Sequence, residues 1–424
     1  MIAVVGGGIS GLALGFELDR LGVDYVVLEA ADRPGGVIRS DVVRGHVVDF
    51  GPQRTRMTPA LGSLVGELGL ENDVLTAPDD LDLFVYRRGR LRAVPFSLPR
   101  FLASDLVGPA SKLRLLVEPL TRGADQEERV SRFFERKIGR ALYEGLVGPL
   151  YGGLYASDPA DMVVGLSLQP LLEDLGVGRS LLLPLLRRGG RVRPPSACTF
   201  RTGMQALPDA LARAVGERLR LGSPVRGLRR CGEGWRLEAD GGAVEAGTVV
   251  LTLPAAAAAE LLRREEPAAA ERLEALRYNP LAVVHLEAET DLRGFGFQVA
   301  LGERLALRGV TYNDSLFGRE RLYTAYLGGA LRPDVAGLSD DALAELATME
   351  FATCTGYRAR ALSVRRQAMP AWDTSWNAVQ GFVPPPGLHV AASWWSRPGL
   401  PGRLREARRL ARTLSEAEMA RKAR

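Results

Sequence analysis

Ile2-Ala3-Val4-Val5-Gly6-Gly7-Gly8-Ile9-Ser10-Gly11 decides the fold of this chain. Four apolar residues, three of them β-branched, predict a buried strand, and the glycines that follow predict a tight turn rather than its continuation. Leu12, Phe16, Leu18 and Leu21 then recur at helical spacing as far as Gly22, and Tyr25-Val26-Val27-Leu28 is a second strand pattern ending in Glu29. Strand, glycine turn, helix, strand and acid form the dinucleotide-binding fingerprint, with Glu29 lying 23 residues after Gly6. Each part has a physical task. Gly6 makes the turn, Gly8 lets backbone approach a diphosphate, and Gly11 lets the helix pack on the strand. The unpaired N–H groups and partial positive charge of the helix start stabilise the anion. Glu29 accepts from ribose hydroxyls, and its charge argues against a 2′-phosphate.

Directly behind the acid comes Glu29-Ala30-Ala31-Asp32-Arg33-Pro34-Gly35-Gly36-Val37-Ile38-Arg39-Ser40, followed by Asp49-Phe50-Gly51-Pro52. A second glycine pair suits a longer, flavin-bearing cofactor. This E-x-x-x-R-x-G-G-x-x-x-S pattern resembles the flavin amine oxidase superfamily, in which the Gly-Gly backbone and the Gly-Pro turn approach FAD. Arg33 either neutralises phosphate or is an ordinary surface arginine.

Composition narrows the classes. With 424 residues, 46% apolar and 25% charged, the chain is long enough for two or three domains and is neither a stapled module nor a disordered tail. Its 55 cations exceed its 50 anions by only five, and the acids are interleaved, so nucleic acid is not an expected partner. Cys198, Cys231 and Cys354 are scattered, as are His46, His285 and His389, which argues against a disulfide framework or a metal cluster. Met1 runs straight into the first strand, leaving no room for a cleavable leader, so the cytoplasm is the expected compartment. The uncharged run from Thr374 to Ser396 contains Pro384-Pro385-Pro386 and cannot be a continuous spanning helix, so any membrane contact is expected to be peripheral.

Along the chain, Pro59 to Leu68 reads as a helix ending at Gly69, and Leu81 to Val94 as a hairpin around Arg87-Arg88-Gly89. Helical signals dominate from Pro95 to Leu186, with Asp125 read as the cap of a run through Val130, Phe133, Phe134 and Ile138. Arg187 to Pro195 reads as a linker. Residues 203 to 219 read as a helical segment, Thr248 to Leu253 as a buried strand, and 255 to 275 as helix. Residues 279 to 330 read as β-like runs, Ser339 as the cap of a helix through Phe351, His389 to Ala392 as a strand and Arg403 to Ala420 as a closing helix. The fold class is therefore α/β: a discontinuous Rossmann-like FAD-binding domain with an antiparallel-sheet substrate domain and an α-helical insertion. We place the FAD-binding domain at 1–80, 200–260 and 365–424, the substrate domain at 81–94 and 261–364, and the insertion at 95–199. Its apolar groups, such as Phe101-Leu102 and Leu115-Leu116-Val117, suit either buried helix faces or a bilayer surface.

Leu91-Arg92-Ala93-Val94-Pro95, Pro149-Leu150-Tyr151-Gly152-Gly153-Leu154-Tyr155-Ala156, Gly203-Met204-Gln205-Ala206-Leu207-Pro208, Tyr312-Asn313-Asp314-Ser315 and Gln367-Ala368-Met369-Pro370 occur in that order. Together they resemble the oxygen-dependent protoporphyrinogen and coproporphyrinogen oxidase family of haem biosynthesis. The resemblance implies FAD as cofactor, a porphyrinogen as small-molecule tetrapyrrole substrate, oxygen as acceptor, a homodimer as one expected assembly and no catalytic protein nucleophile. By residue it implies cofactor contacts from Gly6, Gly7, Gly8, Ile9, Ser10, Gly11, Glu29, Arg33, Gly36, Val37, Gly51, Pro52, Gln53, Arg54, Val225, Ser393, Pro398, Gly399 and Leu400. It implies substrate contacts from Gly153, Phe295 and Phe297. Leu83 stands where some members carry a basic propionate partner, and Arg100, Arg87 or Arg88 is the candidate replacement.

Three late positions depart from the family pattern: Ala392, Arg397 and Gly402. Arg397 either crowds the flavin or stabilises its reduced anion. Two other readings follow. A related flavin oxidase of amines or polyenes would use Trp394 and Trp395 as pocket walls, and a homologue with weakened flavin binding would be a non-catalytic binding protein.

Overall fold

A computed structural model describes residues 1–106, 108–187, 196–395 and 399–422. Its first sheet is parallel. β1 (Ile2–Val5) lies at the centre beside β2 (Tyr25–Leu28), which is followed outward by β3 (Leu219–Arg220); on the other side come β4 (Thr248–Leu251) and β5 (Leu388–Val390). Every pairing is parallel, with Val5 in register with both Leu28 and Leu251. β1, β2 and β4 are buried throughout, which is why they read as unbroken apolar runs without alternation. Ile2 and Val4 pack into a core with Leu12 and Leu14 of α1 (Ile9–Arg20) and Leu404 and Leu410 of α2 (Leu400–Lys422). Ala3 and Val5 face the opposite core, with Ala258 and Leu262 of the helix Ala255–Leu262 and Trp235 and Leu237 of a three-stranded antiparallel sheet. The chain leaves this sheet and returns to it repeatedly, as the α/β class requires.

The second sheet has seven strands, in the order Arg360–Pro370, Tyr278–Glu287, Leu322–Gly328, Leu307–Tyr312, Gly296–Val299, Leu83–Arg87 and Arg90–Ala93. It is antiparallel except where Gly296–Val299 runs parallel to Leu83–Arg87. The helix Asp340–Thr355 covers one face, burying Leu343 and Phe351 against Phe297 and Tyr312. Ser339 caps that helix by accepting from the Ala342 N–H at 3.2 Å. The other face turns toward the nucleotide-binding sheet.

Short helices fill most of 98–187. The expected cap at Asp125 is wrong. The helix Val130–Ile138 starts after Arg129, and the Asp125 carboxylate instead closes a turn onto the Glu127 N–H at 3.1 Å. This region has an ionic centre that periodicity does not reveal: Lys137 Nζ lies 3.1 Å from Glu118 Oε1, both fully buried, and Glu118 also accepts from the Ser180 hydroxyl and the Leu181 N–H. Ala197–Phe200, at the end of the expected helical insertion, is a strand between Thr55–Arg56 and Val74–Thr76. The 255–275 helix is two helices, because Pro267 stops the first and opens the second, Pro267–Glu274. Of the expected linker only Arg187, which ends a helix, lies within the described residues. No helix among the described residues is long and apolar enough to cross a membrane.

Candidate active site

Two glycine turns meet backbone to backbone at the carboxyl end of β1. Gly35 donates its N–H to Gly7 O at 2.9 Å, Gly8 and Gly35 form a parallel bridge, and a Cβ on Gly36 would come within 3.3 Å of the Gly8 Cα. Gly6 has φ +111°, and a Cβ there would lie 2.6 Å from Thr252 Oγ1; at Gly11 a Cβ would overlap the Gly6 carbonyl oxygen. The Thr252 hydroxyl, 2.9 Å from both Val5 O and Gly6 O, ties the turn to the end of β4. Gly8 caps α1 without a side chain, so the N–H groups of Ile9, Ser10 and Gly11 are left for an anion. Glu29 holds the turn as well as facing it: its carboxylate accepts from Gly7 N–H at 2.6 Å and Ala31 N–H at 2.9 Å. Each oxygen keeps a lone pair for a hydroxyl donor. Beside it, Ser223 N–H bonds Glu29 O, which brings the loop before Val225 against the acid. A cradle of bare backbone, an acid one strand away and an uncapped helix start fit a dinucleotide.

Arg33 does not reach toward phosphate. Its guanidinium donates to the carbonyls of Pro34, Gly36 and Ile38, so it holds the second glycine turn in shape. Val37, on that turn, is 77% exposed, an apolar side chain with no core to join. Gly51 packs against it so closely that a Cβ would overlap Val37 O, while Pro52 is exposed and Gln53 is buried. Gln53 accepts from Asn313 Nδ2 at 2.9 Å. It belongs to a buried network rather than to an open surface.

That network is the largest feature the sequence reading missed. Asp49 accepts from the Ser40 hydroxyl at 2.5 Å, the Met204 N–H at 2.8 Å and Arg319 at 2.6 Å. Both partners of the ion pair are buried, and a carboxylate so fully bonded offsets much of its desolvation. His285 bonds Asp49 O at 3.1 Å and the Ser363 hydroxyl at 2.9 Å. Because Asp49 O only accepts, Nε2 carries the proton and Nδ1 accepts from Ser363. Burial, set against the charge of Asp49, holds the His285 pKa down at about 4. The segments quoted above as Gly203 to Pro208 and Tyr312 to Ser315 supply Met204 and Asn313, a role invisible without the fold.

From the 49–54 turn the contacts continue onto the second sheet. Gln367 donates to Phe50 O, and Arg54 donates to Thr311 Oγ1 at 3.1 Å. Gln298, Gly309, Tyr326, Val283 and Arg365 stand side by side in register across five strands. A Cβ on Gly153 would collide with the Gln298 amide, and one on Gly309 would lie 2.9 Å from Gln298 Oε1. Two glycines therefore leave room around one polar side chain.

The strand boundary separates the expected substrate residues, since Phe295 precedes the strand Gly296–Val299 and Phe297 lies within it. Phe297 is fully buried on the opposite face, in the core with Tyr312, so it is not a pocket residue. Phe295 is half-buried, with the Arg54 guanidinium 4.6 Å from its ring centre. Arg100 is exposed and paired with Asp82 at 2.6 Å. Arg87 is committed to Leu106 O at 2.9 Å, and Arg88 is exposed.

At the C-terminal return, Ser393 is exposed, Gly399 has φ +91°, and Leu400 is buried, so among the described residues the Ser393 hydroxyl and the backbone are what this segment offers a ligand. Arg397 and Pro398 lie outside the described residues. Arg403, not singled out from sequence, is buried and donates to Ala392 O and Ser393 O, bracing the crossover from β5 to α2; burial holds its pKa down at about 10. Trp394 is buried and donates to Leu253 O at 3.0 Å, and half-buried Trp395 meets Phe382 edge to face. This pair is packing, not the wall of an amine cage.

The family of flavin-containing amine oxidoreductases matches residues 9–413. Protoporphyrinogen oxidase from Homo sapiens is 32% identical over 355 residues, 74% of this chain and 73% of that protein. Chloroplastic protoporphyrinogen oxidase 1 of Spinacia oleracea is 29% identical over 385 residues, 81% of this chain and 68% of the relative. A solved structure from Exiguobacterium sp. 255-15, provisionally assigned as a protoporphyrinogen oxidase, superposes with a TM-score of 0.81 at 21% identity, covering 98% of each chain; at that identity it speaks for the fold. The fold, the paired glycine turns and these relatives agree: the chain belongs to the flavin-containing amine oxidoreductases, on the protoporphyrinogen oxidase branch, and is an FAD oxidoreductase.

Proposed function

We propose that this protein oxidises a porphyrinogen, protoporphyrinogen IX or coproporphyrinogen III, to the porphyrin with oxygen as terminal acceptor. One observation carries the reading beyond kinship. An unbroken line of contacts runs from the glycine turns through Val37, Gly51 and Arg54 to Thr311 on the second sheet, so a substrate held against that sheet would stand beside the cofactor cradle. The oxidation itself needs no protein nucleophile.

In this reading the first-turn N–H groups of Ile9, Ser10 and Gly11 hold the diphosphate, Glu29 the ribose, and Val225 the adenine through its backbone. Gly36, Val37, Gly51 and Pro52, together with Ser393, Gly399 and the start of α2, would hold the flavin. FAD supplies two-electron acceptance, used three times per macrocycle. The chain's own work is to seat the ring, exclude water with Val37 and Phe295, and fix the rim through the Asp49 network. Exposed Leu102, Leu113, Leu116 and Leu120 support bilayer contact by the helical region, where an apolar substrate would partition.

The test is porphyrin fluorescence from each porphyrinogen, with the FAD-loaded protein, under air and under nitrogen. Oxidation above the spontaneous rate under air is the expected result. If both substrates stay at that rate, the reading fails.

A further inference from the structure

Among the described residues, the cations drawn in from solvent are compensated, and half-buried Arg54 stands in contrast. Lys137 lies on Glu118, and Arg319 lies on Asp49. Arg403 satisfies backbone carbonyls, and Arg308 does the same at Leu305 and Val299. Arg54 is different. Among the described residues its guanidinium makes one hydrogen bond, to the neutral hydroxyl of Thr311, and no ion pair. A guanidinium carries five N–H donors in a rigid fork, so most of its capacity is unspent.

Its surroundings are those of an anion site. The Arg54 guanidinium carbon lies over the Phe295 ring, 4.6 Å from its centre, and Arg56 adds a second positive charge, 5.9 Å from the same ring. Tyr326, in register with Gly309 and so on the same sheet face as Thr311, stands close enough to Arg54 to interact electrostatically. Burial lowers the Arg54 pKa, Tyr326 opposes that shift and Arg56 reinforces it. A partly desolvated cation with a like-charged neighbour is costly, and an anionic ligand relieves that cost. Sequence places it two residues after Pro52, on the turn that joins the glycine cradle to the sheet face.

We propose that Arg54, with Thr311 and Tyr326, forms the subsite that binds a carboxylate of the substrate, replacing the basic anchor that Leu83 cannot supply. The proposal rests on the substrate reading above only for whose carboxylate it is. Arg54 donates a two-pronged hydrogen bond to the carboxylate, Thr311 and Tyr326 orient the fork, and the Phe295 face keeps water from one side.

Two titrations of the FAD-loaded protein test it, comparing Arg54→Gln, Arg54→Lys and the surface control Arg293→Gln. The first uses benzoate, followed by calorimetry, and is independent of any porphyrin. The second compares a porphyrin dicarboxylate with its dimethyl ester, followed by fluorescence quenching. We expect Arg54→Gln to weaken benzoate by about 30-fold or more and to abolish the preference for free acid over ester. Arg54→Lys should recover part of both, and Arg293→Gln should match wild type. Benzoate binding unchanged in Arg54→Gln overturns the subsite. Loss of FAD from both Arg54 variants also overturns it, since the side chain would then serve the cofactor. Benzoate binding that depends on Arg54, in a protein that oxidises no porphyrinogen, upholds the subsite and removes only the substrate reading.

Discussion

The nucleotide end and the substrate face solve opposite problems. At Gly6–Gly11 and Gly35–Gly36 the binding surface is backbone, and side chains are excluded by contacts as tight as the 2.6 Å from a Gly6 Cβ to Thr252. On the second sheet the surface is made of side chains, Gln298, Thr311, Tyr326 and Arg54, drawn from four separate segments and held by strand register. Backbone sites tolerate no volume, whereas side-chain sites tolerate loss but not a change of phase.

The sharpest way to break that comparison is Gly11→Val. Its Cβ would overlap the Gly6 carbonyl, so we expect at least about 3 kcal/mol of destabilisation and protein without flavin, read by thermal denaturation and flavin absorbance. A well-folded yellow variant would show that the turn gives way. Next come the two phenylalanines. Phe297→Ala should cost about 3–5 kcal/mol, because it empties a fully buried site, with little change in KM. Half-buried Phe295→Ala should cost less stability and raise KM. Equal effects from the two would erase the distinction between the sheet's faces.

Acid stability probes the network that joins the regions. His285 has a folded pKa of about 4 against 6.5 in the unfolded chain, so the unfolded state takes up the proton first as pH falls. The stability it contributes is complete above pH 6.5 and declines towards pH 4, by about 3 kcal/mol for this one group. Denaturant titrations across that window should show a shallower slope in His285→Gln. The smallest effect is expected at Glu29→Gln, which replaces charge-assisted bonds to Gly7 and Ala31 with weaker ones. FAD affinity should drop by about tenfold, roughly 1.4 kcal/mol, with the fold intact.

The glycine fingerprint was legible because its chemistry is local: strand, turn, helix and acid fall within 28 residues, from Ile2 to Glu29. The alternation of sheets and helices was legible for the same reason. Arg33 was ambiguous because an exposed arginine and a carbonyl clamp look identical in a string. Asp125 misled because any acid before an apolar helix resembles a cap, and only backbone geometry shows that the helix waits until Val130. Phe295 and Phe297 could not be separated, because two-residue spacing suggests a shared face and only the structure shows that the strand starts after Phe295. Arg100 and Arg54 look alike in the sequence, and only the structure sets Asp82 beside the first and, among the described residues, no ion pair on the second.

The sequence by itself determined where a dinucleotide's backbone cradle forms, because glycine's lack of a Cβ is written at each position and acts on its neighbours. Only the tertiary structure decided which cations are compensated and which side chains of the second sheet join the Asp49 network. Ion pairing and burial depend on segments such as Asp49 and Arg319, 270 residues apart, whose meeting no local pattern encodes.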